Sequence, residues 1–138
     1  MEPTLILSQA SLTTAGTLLL TIVAVEFGGF YVLRLVTGRQ EATPFQKTFA
    51  RAGHAHAGVL VSLALICQLF ADAATLDGLL ASLARTGVPL AAILIPAGYF
   101  FSSAGRGATE PNRLIILIYV GAVSLALGVV ALGIGLLS

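Results

Sequence analysis

Four long apolar runs, separated by short polar stretches, organise the chain. Residues 12–25 carry no charge, and the apolar pattern continues past Glu26 to Leu33. Residues 52–71 are uncharged apart from two histidines. Residues 86–105 and 114–138 contain no ionisable group except tyrosines. A helix needs about 20 mostly apolar residues to cross the hydrocarbon core of a bilayer. The pattern therefore predicts four membrane-spanning helices, over about 12–37, 45–72, 86–105 and 112–137. Together they make one all-α polytopic domain, with no room for a second. The first run is too long for a signal-peptide core, contains Glu26 and is followed by no small-residue cleavage motif. It reads as a permanent helix.

The polar stretches supply the boundaries. Ser11 or Thr13 is a candidate cap for the first helix, and Gly38 a candidate stop. Pro44 suits the first turn of the second helix. The second connection is expected over 72–85, with Asp72, Asp77 and Gly78, which places Pro89 in the first turn of the third helix. Pro96 then lies inside that helix, where it removes a backbone hydrogen bond. The third connection, 103–112, is rich in Gly, Ser and Thr and ends at Pro111. In the last helix Gly121, Gly128 and Gly135 recur every seven residues and form a smooth stripe for close backbone approach. Gly53 and Ala57 make a shorter small-residue pair in the second helix. Both sets fit helix packing within one subunit, with packing between subunits as the alternative.

Composition agrees with the pattern. Of 138 residues, 57% are hydrophobic and 9% charged, and the mean hydropathy is +1.00. Soluble domains carry about 25% charged residues, so an ordinary cytosolic globule is excluded. A net charge of +1 leaves no basic surface for nucleic acid. Cys67 is the lone cysteine, which excludes an internal disulfide and a cysteine-based zinc site. Arg34, Arg39, Lys47, Arg51, Arg106 and Arg113 fall on one side of the membrane, leaving Arg85 on the other. The positive-inside rule puts that basic side in the cytoplasm and both termini outside.

Ionisable groups inside a bilayer are costly, so each is a functional candidate. Three stand out: Glu26 in the first helix, and His54 and His56 in the second. Residues two apart on a helix point about 200° apart. The two imidazoles therefore cannot easily hold one metal ion together, but they allow two ligations on opposite sides of the helix. Gly53, Ala55, Ala57 and Gly58 leave room beside each ring for something large. A heme fits that description, being flat, apolar and bound axially by neutral imidazole. Binding of a bare copper or zinc ion and a hydrogen bond to a neighbouring helix are the other readings. Arg51, one turn before His54, is a candidate partner for a heme propionate or an interfacial anchor. Glu26 is a candidate proton carrier, an ion-pair partner or a buried neutral acid. Tyr99, Phe100 and Phe101 read as an interfacial aromatic belt.

The stretch from Gly53 to Leu60, Gly-His54-Ala-His56-Ala-Gly58-Val-Leu, resembles the H-x-H helix in catalytic subunits of the heme–copper oxidase superfamily. It is most similar to the C-type oxidases and nitric oxide reductases. There the two histidines ligate two different hemes across one helix. Those subunits have twelve helices in three arcs of four, with metal ligands chiefly on the second helix of each arc, which is where H-x-H lies here. The resemblance implies a homotrimer of twelve helices, with heme b held at His54 and His56 and Arg51 and Gly58 beside it. It also implies basic residues on the outer side, over the propionates, which opposes the charge-based orientation. The family's copper site needs three further histidines, and this chain has none.

The leading expectation is a membrane b-type heme protein. It would transfer electrons, with quinol as a candidate donor, or handle oxygen or nitric oxide in a bacterial plasma membrane as an oxidoreductase. The alternatives are a proton-coupled small transporter using Glu26 and a structural subunit of a respiratory complex.

Overall fold

A computed structural model describes residues 6–138. Four helices form: α1 (Gln9–Val36), α2 (Pro44–Ala73), α3 (Gly78–Ser102) and α4 (Ile116–Leu137), the last entered through a 3-10 turn at Arg113–Ile115. All four, counting that turn with α4, are long and apolar enough to cross a membrane. The chain is thus all-α and has the build of a four-span membrane protein.

Local chemistry explains the starts. The Ser8 hydroxyl accepts from the Ser11 amide and caps α1. Thr43 and Gln46 form a reciprocal capping box at α2, with Pro44 in its first turn. The third helix begins eight residues before the expected position 86, so the connection over 72–85 is corrected to a short turn. Gly78 adopts φ 58°, a left-handed conformation that a glycine reaches without strain, and swings the chain from Asp77 directly into α3. A residue read as a breaker is the turn that opens the helix.

Both Pro89 and Pro96 consequently lie inside α3. Proline at position 89 cannot donate to the carbonyl of Arg85, one turn earlier. The Gln68 side-chain amide donates to that carbonyl instead, at 2.9 Å. A helix neighbour supplies the bond that the proline removes.

The helices pack as an open arc in chain order. α1 lies on α2, α2 on α3 and α3 on α4; α1 barely meets α3 and does not meet α4. The core sits at the α2–α3 seam around Ala64, Cys67, Ala84, Val88 and Ala91, with Leu18 entering from α1 and Leu132 from α4. The glycines decide the closest approach. A Cβ at Gly87 would fall 2.6 Å from the Gly128 Cα, and one at Gly121 would fall 2.6 Å from Ile95 Cγ1. Gly135 packs against Leu76. The seven-residue stripe is therefore occupied within the subunit.

Candidate functional site

Ala50, Gly53, Ala57, Leu60 and Ala64 form the buried face of α2. His54 and His56 leave that face on its two flanks, as their two-residue spacing requires. His54 turns toward α1, where its ring rests on Gly28 and Gly29. His56 lies on the flank toward α3, against Tyr99. The two rings have different surroundings.

His54 is half-buried in the seam with α1. A Cβ at Gly29 would come within 3.1 Å of His54 Cε1 and 3.3 Å of Nε2, so this glycine is what admits the ring. His54 Nδ1 is buried and has no hydrogen-bond partner. It borders a cavity of about 250 Å³ between α1, α2 and α3, walled by Leu18, Val25, Val61, Ala92, Pro96 and Phe100.

His56 is exposed, and its Nδ1 lies 2.8 Å from the Ala52 carbonyl oxygen. A carbonyl only accepts, so Nδ1 carries the proton and Nε2 of the neutral ring keeps its lone pair. This is how a metal-ligating histidine is oriented, with the nitrogen away from the metal donating to a backbone carbonyl. Tyr99 lies over the ring with centroids 5.1 Å apart and planes inclined by 31°. Phe49 meets Tyr99 at 5.3 Å and Phe45 meets Phe49 at 4.3 Å, giving a file of rings from the start of α2 to His56. Tyr99 and Phe100, read from the sequence as part of an interfacial belt, lie in the last turn of α3, with Tyr99 against the His56 ring and Phe100 lining the cavity beside His54. Phe101 is exposed.

Arg51 and Glu26 are exposed and form no ion pair among the described residues. Gly58 has open space beside it, with nothing within 4 Å of an added Cβ. Glu26 does not line the His54 cavity. Antiparallel contacts of Gly28 and Gly29 with His54 place Glu26 close to the depth of His56. The structure brings His54 together with α1 glycines and His56 with Tyr99, and leaves Arg51, Gly58 and Glu26 facing outward.

A polar cluster at the opposite end of the helices was not legible as a site. Arg85 Nη1 donates to Asp72 Oδ1 at 2.7 Å and to Ser11 Oγ at 2.8 Å, and the Ser8 amide donates to Asp72 Oδ2 at 2.8 Å. The Asp72 side chain is 3% exposed. This cluster fastens the start of α1 to α2 and α3. With Asp72 and Arg85 both assigned to a connection, nothing in the sequence paired them. The one available signal was Arg85 itself, the single cation on its side. At the basic end, Gln46 Nε2 donates to the carbonyls of Ser103 and Gly105, joining the first turn of α2 to the third connection. A cleft of about 830 Å³ opens there beside Tyr31, Glu41, Phe100 and Arg106.

No family model, curated protein or solved structure matches this chain.

Proposed function

We propose that the chain is a membrane heme b protein on a scaffold like that of the heme–copper oxidases, with His56 and His54 as the residues that would hold the heme iron. The observation that carries this reading is the His56 ring: Nδ1 committed to Ala52 O, Nε2 free, and the side chain open to the outside of the subunit. The donor set fits the group. A second imidazole stands on the opposite flank with a ring nitrogen lacking a partner, and space is open beside Gly58. Arg51 lies toward the basic end, where a cation suits propionates. Bound heme would supply one-electron chemistry at its iron. The chain's own part is to orient His56 through Ala52, cover one face of the ring with Tyr99 and exclude water with apolar helix surfaces.

The open arc supports an assembly of three copies around an axis normal to the membrane, which would restore twelve helices. Each heme would then lie at a subunit boundary, with His56 of one copy as its first ligand. His54 of the next copy would be the second residue holding it. Electron transfer, from quinol or another donor, and oxygen or nitric oxide chemistry are the activities this scaffold suits, in a bacterial plasma membrane. The outward position of Glu26 does not favour a transport path through a single chain.

The test is the absorption spectrum of the purified protein, with His56→Ala as the diagnostic variant. The wild type should show a Soret band and sharp reduced α and β bands at one heme per chain. His56→Ala should lose them while still inserting. A colourless wild type supplied with heme, or full heme retention in His56→Ala, overturns the reading.

A further inference from the structure

At the basic end the tips of α1 and α3 stand apart, since the arc puts α2 between them and α1 barely meets α3. The cleft of about 830 Å³ opens there, within the range of about 300–1,000 Å³ usual for ligand sites. Its walls are of two kinds. On the helix side they are aromatic: Tyr31 and Phe100 meet edge to face with centroids 6.2 Å apart, and Phe101 is exposed. On the side of the connections they are polar, with Gln40 and Glu41 from the first and Arg106 from the third. The cleft has a fixed frame. Gln46 donates to the carbonyls of Ser103 and Gly105, and the Thr43 hydroxyl donates to the carbonyl of Ala108, so the third connection is tied to the start of α2.

The charges on this frame are unspent. Glu41 and Arg106 line one cleft, yet neither forms an ion pair among the described residues. The amides of Gly105, Arg106 and Gly107, which also line it, donate to no backbone carbonyl among those residues. A cation alone would suit any anion. A cation and a carboxylate in the same cleft suit a molecule that carries a phosphate and an ammonium together, the phosphate for Arg106 and the ammonium for Glu41. A primary ammonium fits better than a quaternary one, because only N–H groups donate to a carboxylate.

The floor of the cleft decides whether that molecule is free or tailed. Phe100 also walls the apolar cavity between α1, α2 and α3, with Val25, Ile93 and Pro96. The charged cleft therefore adjoins an apolar surface that runs along membrane-length helices. A water-soluble zwitterion would leave that surface uncovered, whereas an acyl chain covers it. Basic pockets between helices at the membrane surface are also where lipid headgroups bind.

We infer that this cleft binds an aminophospholipid of the phosphatidylethanolamine type, with its phosphate at Arg106, its ammonium at Glu41 and an acyl chain passing Phe100 along the open side between α1 and α3. The assignment rests on the chain spanning a bilayer. It needs no heme, and neither histidine holds the lipid.

Native mass spectrometry of the delipidated full-length protein in detergent tests this with phosphatidylethanolamine, phosphatidylcholine and phosphatidylglycerol of identical acyl chains. Phosphatidylethanolamine should saturate at one per chain and bind about threefold or more tightly than either of the others, the scale of an ion pair at an exposed site. Arg106→Gln should weaken all three. Glu41→Gln should keep lipid binding but lose the preference over phosphatidylglycerol. Both residues are exposed and lie in connections, so neither change threatens the fold. Glycerophosphoethanolamine, the same headgroup without chains, should fail to compete at concentrations where the lipid saturates. His56→Ala should bind the lipid like the wild type whether or not it carries heme, which separates this site from the heme reading. Equal binding of the three lipids, an unchanged preference in Glu41→Gln, unchanged affinity in Arg106→Gln, effective competition by glycerophosphoethanolamine, or loss of the lipid in His56→Ala each overturns the assignment.

Discussion

The seam between α1 and α2 and the seam between α3 and α4 are built from the same kinds of apolar residue, yet they differ in closeness. Along α3–α4, backbone meets backbone: an added Cβ at Gly128 would lie 2.9 Å from the Gly87 Cα, and Ser124 donates to the Gly87 carbonyl at 2.9 Å. Along α1, only Ser11, Leu18 and Leu35 are buried. It meets the rest through the Arg85 cluster at one end, Leu18 in the core, and the bed of His54 and the Tyr31–Phe100 ring pair toward the other, with a cavity beside them. Segments with few buried apolar contacts are the low-stability part of a protein, and binding sites tend to be drawn from it. His54 and Glu26 both belong to this looser half. Close packing and chemistry are thus separated across the arc: α3 and α4 hold α2 in place, and α2 presents one histidine to the packed side and one to the loose side.

The largest effect should come from damaging the tight seam. Gly87→Leu forces a side chain into a space where even Cβ would sit 2.7 Å from the Ser124 carbonyl oxygen. Backbone cannot move aside as a flexible side chain does. The variant is expected to yield no monodisperse folded protein by size-exclusion chromatography. Gly16→Leu on α1, where nothing lies within 4 Å, should elute like the wild type. Comparable tolerance at both positions would remove the contrast between the seams.

Less severe is the loss of the polar fastening of α1. Arg85→Met leaves the Asp72 carboxylate, 3% exposed, without its cation. Breaking a buried pair from one side costs about 3–5 kcal/mol. The thermal midpoint in detergent should fall, and proteolysis should cut α1 first. Adding Asp72→Leu to Arg85→Met should recover most of the loss, since an apolar pair of similar volume replaces an ion pair at little cost. If the double variant stays as unstable as the single one, the carboxylate is not the source of the damage.

These two seams also show what the sequence made legible. Four helices followed from hydropathy alone, because a span of apolar residues has few other ways to satisfy its backbone in lipid. The glycine stripe of α4 was visible as a periodicity, but a stripe does not name its partner; Gly87 and Ile95 of α3 do. The start of α3 was misplaced because glycine and aspartate read as a loop, when Gly78 at φ 58° is the turn into a helix. That error concealed the Asp72–Arg85 pair, which exists only once Arg85 stands inside α3. The histidines were conspicuous by composition, and their opposite flanks followed from helical rotation. Their unequal exposure did not, because it depends on Gly28 and Gly29 of another helix and on Tyr99 of a third.

The smallest expected effect sharpens the comparison most, because it sets two glycines of one helix against each other. Gly53 faces α3, where a Cβ would lie 3.0 Å from the Tyr99 Cβ and 3.1 Å from Phe100 Cε2. Gly53→Ala therefore overpacks the seam and should cost about 1–3 kcal/mol. Gly58 meets nothing within 4 Å, so alanine there gains helix propensity of about 0.8–1 kcal/mol without a clash. Thermal melts of the isolated chain should move in opposite directions for the two variants. Heme content then reads what covers Gly58. If a heme or a second copy rests on that open surface, Gly58→Ala lowers heme occupancy even as the chain itself melts higher. If occupancy is unchanged, the space beside Gly58 faces only lipid, and any heme at His56 approaches from the Tyr99 side alone.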